Sequence, residues 1–434
     1  MAEEQAKNSE FRLGSKPLIA ATVGVALGAS PIPYNSIGLV IGPITQELGW
    51  SVEQVANGIT IFGVVAALLA PLYGAVADKI GSRKVAIWSL VLFIASFSLL
   101  YFTPEDVRVW YGIWFLISLF GIGSTPVSWS RGISQWFVQN RGLALGIMLM
   151  GTSLTAIIVP KLGTAIIQEF GWRALFPSLG ALSLVIALPL AIAWFREPDQ
   201  DERPKTLNDA SGNLLGMTMG QVFRSYRLYV LIASTILISL AYGGAHVHMV
   251  PMIQKHGFTM TDAAGVATIV GVGILLGRVV VGLLFDRFWA PGIAVPVLLL
   301  PAISCYLLLG TSDELLPLQI AAFFLGLAAG AESDVIAFMV ARYFGMRNYG
   351  KIFGGIYLFF GLCAGLSPKL YAQAVDATGT YDPMLQNAIV MFIIGALLLL
   401  LLGRYPDASQ QTGDAKIAAP GITPGATPIV GKES

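Results

Sequence analysis

Charge is what this chain has least of. Only 12% of its 434 residues are Asp, Glu, Lys or Arg, while 55% are hydrophobic. A water-soluble fold of that length cannot hide so much apolar surface, so the composition excludes an ordinary soluble domain and points to a bilayer. Cysteine is scarce too. Cys305 and Cys363 are the only two, and both fall in apolar runs, where they read as small hydrophobic residues rather than a disulfide or metal pair. His246 and His248 find no third ligand at metal-binding spacing, and no strand–glycine–helix nucleotide signature occurs. No nucleophile–base pair or metal cluster is visible either. The chain is therefore expected to be no enzyme, to carry no cofactor or metal, and to bind no nucleic acid.

What it has in quantity is hydrophobic length. A membrane-crossing helix needs about 20 apolar residues, and twelve stretches qualify. They are 17–42, 54–77, 84–102, 109–136, 142–168, 173–195, 227–254, 262–285, 291–310, 315–341, 350–374 and 383–403, numbered here as spans 1 to 12. Runs of this length cannot be the short alternating strands of a barrel, so the spans are helices. The expected organisation is an all-α membrane protein. It has a polar tail over 1–16 without a cleavable signal pattern, a six-helix bundle over 17–195, a polar linker over 196–226, and a second six-helix bundle over 227–404. A tail over 405–434, rich in Pro, Gly, Ala and Thr, is expected to be disordered.

Lysine and arginine set the expected orientation. If the N-terminus is cytoplasmic, nineteen of the 26 fall on the cytoplasmic side, three (Arg108, Arg173, Lys255) fall outside, and four (Arg131, Lys161, Arg278, Lys369) lie within spans. Both termini are then inside, and the expected location is the inner membrane of a bacterial cell.

An internal repeat runs at an interval of 208 residues. Pro160-Lys161-Leu162 is answered by Pro368-Lys369-Leu370, Gly74 and Asp78 by Gly282 and Asp286, and Gly142 and Gly146 by Gly350 and Gly354. Agreement at separate places implies that the halves are parallel duplicates about an axis along the membrane normal.

With these features the chain resembles the major facilitator superfamily over essentially its whole length. "GAVADKIGSRK" (Gly74–Lys84) matches that family's loop between spans 2 and 3. Within it, "ELGWS", "NRGLALGIMLMGTS", "EFGWR", "HMVPMIQKHGFT", "GRVVVGLLFDR" and "GAESDVIAFMVARYFG" are similar to the monocarboxylate and oxalate/formate transporter group. The resemblance implies the major facilitator fold, two pseudo-symmetric bundles that rock around a central path. It also implies that Arg278 in span 8 binds a substrate carboxylate. The acidic residue that animal members carry one turn earlier is Ile274 here, so Glu332 or Asp334 is expected to take over its neutralising and proton-accepting role. Asn35 stands about where animal members have a lysine.

Charges within a membrane cost about 2.5–3.5 kcal/mol each on insertion scales, so each is a functional candidate or half of a pair. By helix rise, Arg278, Glu332 and Asp334 lie at similar depth. Their alternative reading is a static buried ion pair. Lys161 and Lys369 either snorkel to the outer boundary or flank the outer mouth of the path, each behind a proline. His246 is a candidate for substrate binding or proton exchange, with Tyr242 one turn before it on the same face. His248 reads as a structural hydrogen-bonding residue. Tyr34 and Asn35 in span 1 are further binding candidates. Trp129, Phe338, Tyr357, Phe359 and Phe360 are packing residues or the floor of a pocket for an aromatic acid. Arg131 is expected to pair with Asp78. Gly74, Asp78, Lys79, Gly81, Arg83 and Lys84, with Asp286 and Arg287 opposite, are expected to latch the cytoplasmic helix ends.

The expected function is secondary transport of a small organic anion by alternating access, a mono- or dicarboxylate and conceivably an aromatic one, in symport with protons. The chain is expected to act as a monomer in the bilayer. The competing readings are an exchanger without proton coupling, a carrier of neutral solutes or drugs, and a sensor built on a transporter scaffold.

Overall fold

The computed structural model describes residues 2–199, 201–204, 207, 214–309 and 314–406. The expected disorder of the tail beyond 406 falls outside them. Among the described residues twelve helices are long and apolar enough to cross a membrane. Spans 1 to 6 are Glu10–Leu48, Glu53–Ile80, Ser82–Phe102, Val107–Trp136, Arg141–Phe170 and Trp172–Trp194. Spans 7 to 12 are Tyr226–Val247, Thr268–Arg287, Ala290–Leu309, Leu315–Phe344, Tyr349–Thr378 and Asp382–Leu402. Since spans alternate in direction, both chain ends and the linker share one end of the bundle, called here the linker end.

Local sequence explains where the helices start and turn. Ser51 and Gln54 form a reciprocal capping box ahead of span 2, and Thr259 and Asp262 form one ahead of span 8, each satisfying amide groups that a helix start leaves orphaned. Between spans 2 and 3 the chain reverses at Gly81, whose φ of +91° strains any residue with a Cβ.

Two spans are interrupted where they pass the middle of the molecule. Span 1 consists of the helices Ala2–Ala26 and Pro31–Leu48, and span 4 runs as Val107–Gly121, a 3-10 turn and Pro126–Trp136. Interruptions free backbone groups that lipid cannot satisfy. Here the two breaks serve each other, because the Ala29 amide donates to the Ser124 hydroxyl at 3.1 Å.

The halves meet along two crossings related by the 208-residue interval. A Cβ on Gly74 would run into the carbonyl of Gly350, and one on Gly142 into that of Gly282. One turn or so further, Gly354 packs on the carbonyl of Ala70 and Gly146 on that of Arg278. Spans 2 and 11, and spans 5 and 8, thus approach backbone to backbone, which only small residues allow.

Two expectations about the ends need correction. The segment 1–16 is not a separate tail, because the first helix begins at Ala2. Its residues are good helix formers that carry the helix on without any hydropathy signal. Glu10 then accepts the amides of Val138, Gln139 and Asn140 at 3.0–3.1 Å, capping the entry to span 5. Tyr405 belongs to the second bundle rather than to the tail, since its hydroxyl accepts the Ala290 amide at 2.9 Å. Within the linker, the residues Met219–Arg224 form one short helix behind a Thr218–Gln221 capping box.

Candidate functional site

Between the two halves lies a cavity of about 410 Å³, within the range of small-molecule sites. The interrupted spans supply part of it: Ser30, Pro31, Tyr34 and Asn35 follow the break in span 1, and Ile122, Thr125 and Pro126 surround that in span 4. Span 5 adds Leu149 and Thr152, and span 11 adds Tyr357, Phe360 and Gly361. Tyr34 is 56% exposed, open to this space, and its ring meets Phe62 edge-on at 5.8 Å. Asn35 donates to the Pro31 carbonyl at 2.7 Å.

Arg278 is the only charged residue among the described residues that line the cavity. Its guanidinium joins the halves. One terminal nitrogen donates to Asp334 Oδ1 at 3.3 Å within the second half, the other to the Thr152 hydroxyl of the first half at 3.2 Å. The Nε donor is buried without a hydrogen-bond partner among the described residues. A buried donor left unpaired costs about 1–3 kcal/mol, and guanidinium–carboxylate pairing is strongest when bidentate. This arginine therefore keeps donor capacity towards a bound anion. Its counterpart in the first half, 208 residues earlier, is Ala70, so the duplicated scaffold carries charge on one side only.

The two carboxylates of span 10 separate. Asp334 faces Arg278, whereas Glu332 accepts a hydrogen bond from the Ser239 hydroxyl of span 7 at 2.6 Å. Two residues along a helix turn about 200°, so depth alone could not distinguish them. Glu332 occupies the position equivalent to Ser124, which likewise reaches back to the first span of its own half. Tyr242, the counterpart of Tyr34, lies within electrostatic reach of both Glu332 and Arg278. His246 stacks on Tyr242, with ring centroids 5.5 Å apart, but neither is among the residues around the 410 Å³ cavity. His248 is held between the Tyr381 hydroxyl at 3.1 Å and the Pro368 carbonyl at 3.0 Å.

Lys161 and Lys369 are exposed and stand apart from the cavity. Lys161 comes nine residues after the lining Thr152, and nine residues carry a helix through 900°, to its opposite face, whereas Lys369 comes four residues after the lining Gly365, on the same side of span 11. Among the aromatics, Tyr357 and Phe360 line the cavity. Trp129 instead packs on Phe195 at 4.4 Å, and Phe338 on Phe285 at 5.3 Å.

At the linker end Arg131 donates to Asp78 at 2.8 Å and to Glu197 at 2.6 Å. Contact across the halves runs from side chain to backbone. Asp78 accepts the amides of Gly350 and Lys351, and Asp286 those of Gly142 and Leu143, at 2.7–3.0 Å. Each aspartate sits on the positive N-terminal end of a helix from the other half. Lys79 and Lys84 are exposed, Arg83 donates to the Ile192 carbonyl within its own half at 2.6 Å, and Arg287 is exposed beside Asp286. Sequence reasoning missed Thr152, which follows Gly142, Gly146 and Leu149 in helical steps along one face of span 5. That spacing was its signal.

Twelve spans, a duplicated architecture and a cavity between the halves define a polytopic membrane protein of the transporter class. The Major Facilitator Superfamily profile matches residues 23–318, and the chain belongs to that family, whose members are transporters and not enzymes. Human monocarboxylate transporter 11 is 23% identical over 406 residues, which cover 89% of this chain and 83% of that protein. The fold is similar to that of the E. coli fucose:proton symporter, with a TM-score of 0.68 and 14% identity over 89% of this chain and 98% of the other. It is equally similar to the human organic anion transporter MFSD10, with a TM-score of 0.67 and 16% identity over 89% and 99%.

Proposed function

We propose that this chain carries a small organic carboxylate, aliphatic or aromatic, across the cell membrane by alternating access and in symport with a proton. One observation carries the reading: the cavity between the halves holds a single charge, the guanidinium of Arg278, set among hydroxyls and aromatic rings. A planar fork with a spare donor grips a carboxylate where an ammonium cannot. Tyr34, Asn35, Thr125 and Tyr357 complete a polar and aromatic surround for the rest of the substrate. Relatives named for monocarboxylate and organic anion transport support this substrate class.

Glu332 is the proposed proton carrier. Among the described residues no cation stands within ion-pair distance of it, so gaining or losing a proton breaks no salt bridge there. Asp334 neutralises Arg278 when no substrate is bound. The lysine and arginine distribution supports a cytoplasmic linker end, and the proposed setting is a monomer in the inner membrane of a bacterial cell. The clamps of Asp78 and Asp286 then close the cytoplasmic side, with the cavity about ten residues, or roughly 15 Å of helix, beyond them. Substrate binding favours release of one pair of helix ends and closure on the other side, as rocking of duplicated halves requires.

A second reading has its own observation. The Arg278–Asp334 contact already neutralises the cavity's charge, which suits a neutral solute or an exchanger that moves no proton. Uptake of aliphatic and aromatic carboxylates into proteoliposomes, with and without an imposed pH gradient, separates the readings. Carboxylate accumulation that follows the gradient supports symport. Flux of neutral solutes alone supports the second reading, and ligand binding without any flux identifies a sensor.

A further inference from the structure

The linker end of the first half repeats in the second with changed side chains: Ser82, Arg131 and Glu197 are answered by Ala290, Met339 and Tyr405. In the first half Glu197 accepts the Ser82 amide at 2.6 Å and the guanidinium of Arg131 at 2.6 Å. Adding 208 to Ser82 and Glu197 gives Ala290 and Tyr405, and the Ala290 amide donates to the Tyr405 hydroxyl at 2.9 Å. The backbone contact is kept and the carboxylate is lost. Burial pushes the Tyr405 phenol above its ordinary range, so it stays neutral and supplies no replacement charge.

Around that position lies a second cavity, of about 690 Å³, lined by Arg287, Arg342 and Arg404, with Asp286 as the one acid among the described lining residues. Asp286 is committed to the amides of Gly142 and Leu143. Among the described residues three guanidiniums and one carboxylate line this recess, which is formed by the ends of spans 8, 10 and 12. Phe288 and Trp289, 57% and 38% exposed, flank it as aromatic residues do at a headgroup boundary. We propose that this recess binds a phosphate-type oxyanion, whose charge stands where Glu197 stands in the first half. Guanidinium forks match phosphate oxygens bidentately. The same chemistry is offered by the headgroup of an anionic phospholipid and by a soluble phosphate compound. The site is separate from the transport cavity and shares none of its lining residues.

Two probes distinguish the sources, both used on the purified full-length protein. Retention of phosphatidylglycerol relative to phosphatidylcholine is counted by native mass spectrometry, and inorganic pyrophosphate is titrated calorimetrically. One-to-one binding of phosphatidylglycerol alone identifies a lipid site, of pyrophosphate alone a site for soluble phosphates, and of both a shared oxyanion site. Arg287→Gln combined with Arg404→Gln is expected to weaken that binding at least tenfold. Tyr405→Glu, which restores an internal carboxylate and keeps an acceptor for Ala290, is expected to do the same, and it decides the matter if the double variant does not fold. Carboxylate binding in the central cavity is expected to stay unchanged in Tyr405→Glu. One-to-one binding of neither probe, or a loss smaller than tenfold in the variants that fold, overturns the proposal.

Discussion

Asp78 and Asp286, 208 residues apart, bind the opposite half of the molecule in the same way. Each stands at the last turn of its own span and accepts two backbone amides from the first turn of a span in the other half, at 2.9–3.0 Å for Asp78 and 2.7–2.9 Å for Asp286. A helix N-terminus and a carboxylate attract each other without any particular side chain on the partner. Duplication therefore preserved the clamp while the neighbouring sequence diverged.

Removing one clamp is expected to release its side of the linker end. Charge-assisted hydrogen bonds are worth about 1.5–3 kcal/mol each. Asp286→Asn, which keeps one acceptor, is therefore expected to favour the open linker end by about tenfold, or ~1.4 kcal/mol. Distances between spin labels at the linker ends of spans 5 and 8 report the change. An unaltered distance distribution would show that Asp286 clamps nothing.

Close approach of the backbones is a second, steric requirement. A Cβ on Gly142 meets the Gly282 carbonyl, whereas one on Gly271 meets nothing within 4 Å. Gly142→Val is expected to keep its expression and helicity but to lose most uptake, since overpacking costs about 1–3 kcal/mol in the closed state alone. Gly271→Val is expected to transport normally. Equal activity in the two variants counts against closure at this crossing.

Much of this architecture was legible in the sequence. Twelve spans follow from hydrophobic length, and the duplicated halves from the 208-residue interval. Arg131 was placed beside Asp78 because spans 2 and 4 are neighbours in the family's fold, and the structure has them 2.8 Å apart. Depth within a span was readable too, since it needs only a rise per residue. What could not be read was azimuth. Asp334 and Glu332 lie at nearly one depth on different faces, and the structure alone assigns Arg278 to the former. The face of Lys161 was equally hidden until Thr152 marked the side of span 5 that turns inward. Hydropathy also failed at the ends, where the polar residues before 17 and the phenol of Tyr405 pack onto the bundle without an apolar run to announce it.

The placement of the lysines has a direct consequence. Because neither Lys161 nor Lys369 is among the residues that line the cavity, Lys161→Ala and Lys369→Ala are each expected to change the KM for a transported carboxylate by less than twofold. A tenfold rise in either would return them to the substrate path.

Proton coupling is assigned to Glu332, and its test separates coupling from transport. Glu332→Gln retains an acceptor for the Ser239 hydroxyl but cannot exchange a proton. The variant is expected to catalyse substrate exchange at close to the wild-type rate while losing accumulation driven by an imposed pH gradient. Gradient-driven accumulation that survives in Glu332→Gln moves the proton site elsewhere.

The central claim is that the guanidinium of Arg278 grips the substrate carboxylate in the cavity between the halves. Carboxylate uptake by proteoliposomes containing Arg278→Lys, Arg278→Gln or the paired Arg278→Leu/Asp334→Leu variant tests it most directly, with folded protein verified by its elution as a single species. The account predicts that all three lose at least 100-fold in uptake, about 2.7 kcal/mol of binding and transition-state stabilisation. Near-normal carboxylate uptake in the paired apolar variant would make the arginine and aspartate a structural pair and contradict the account.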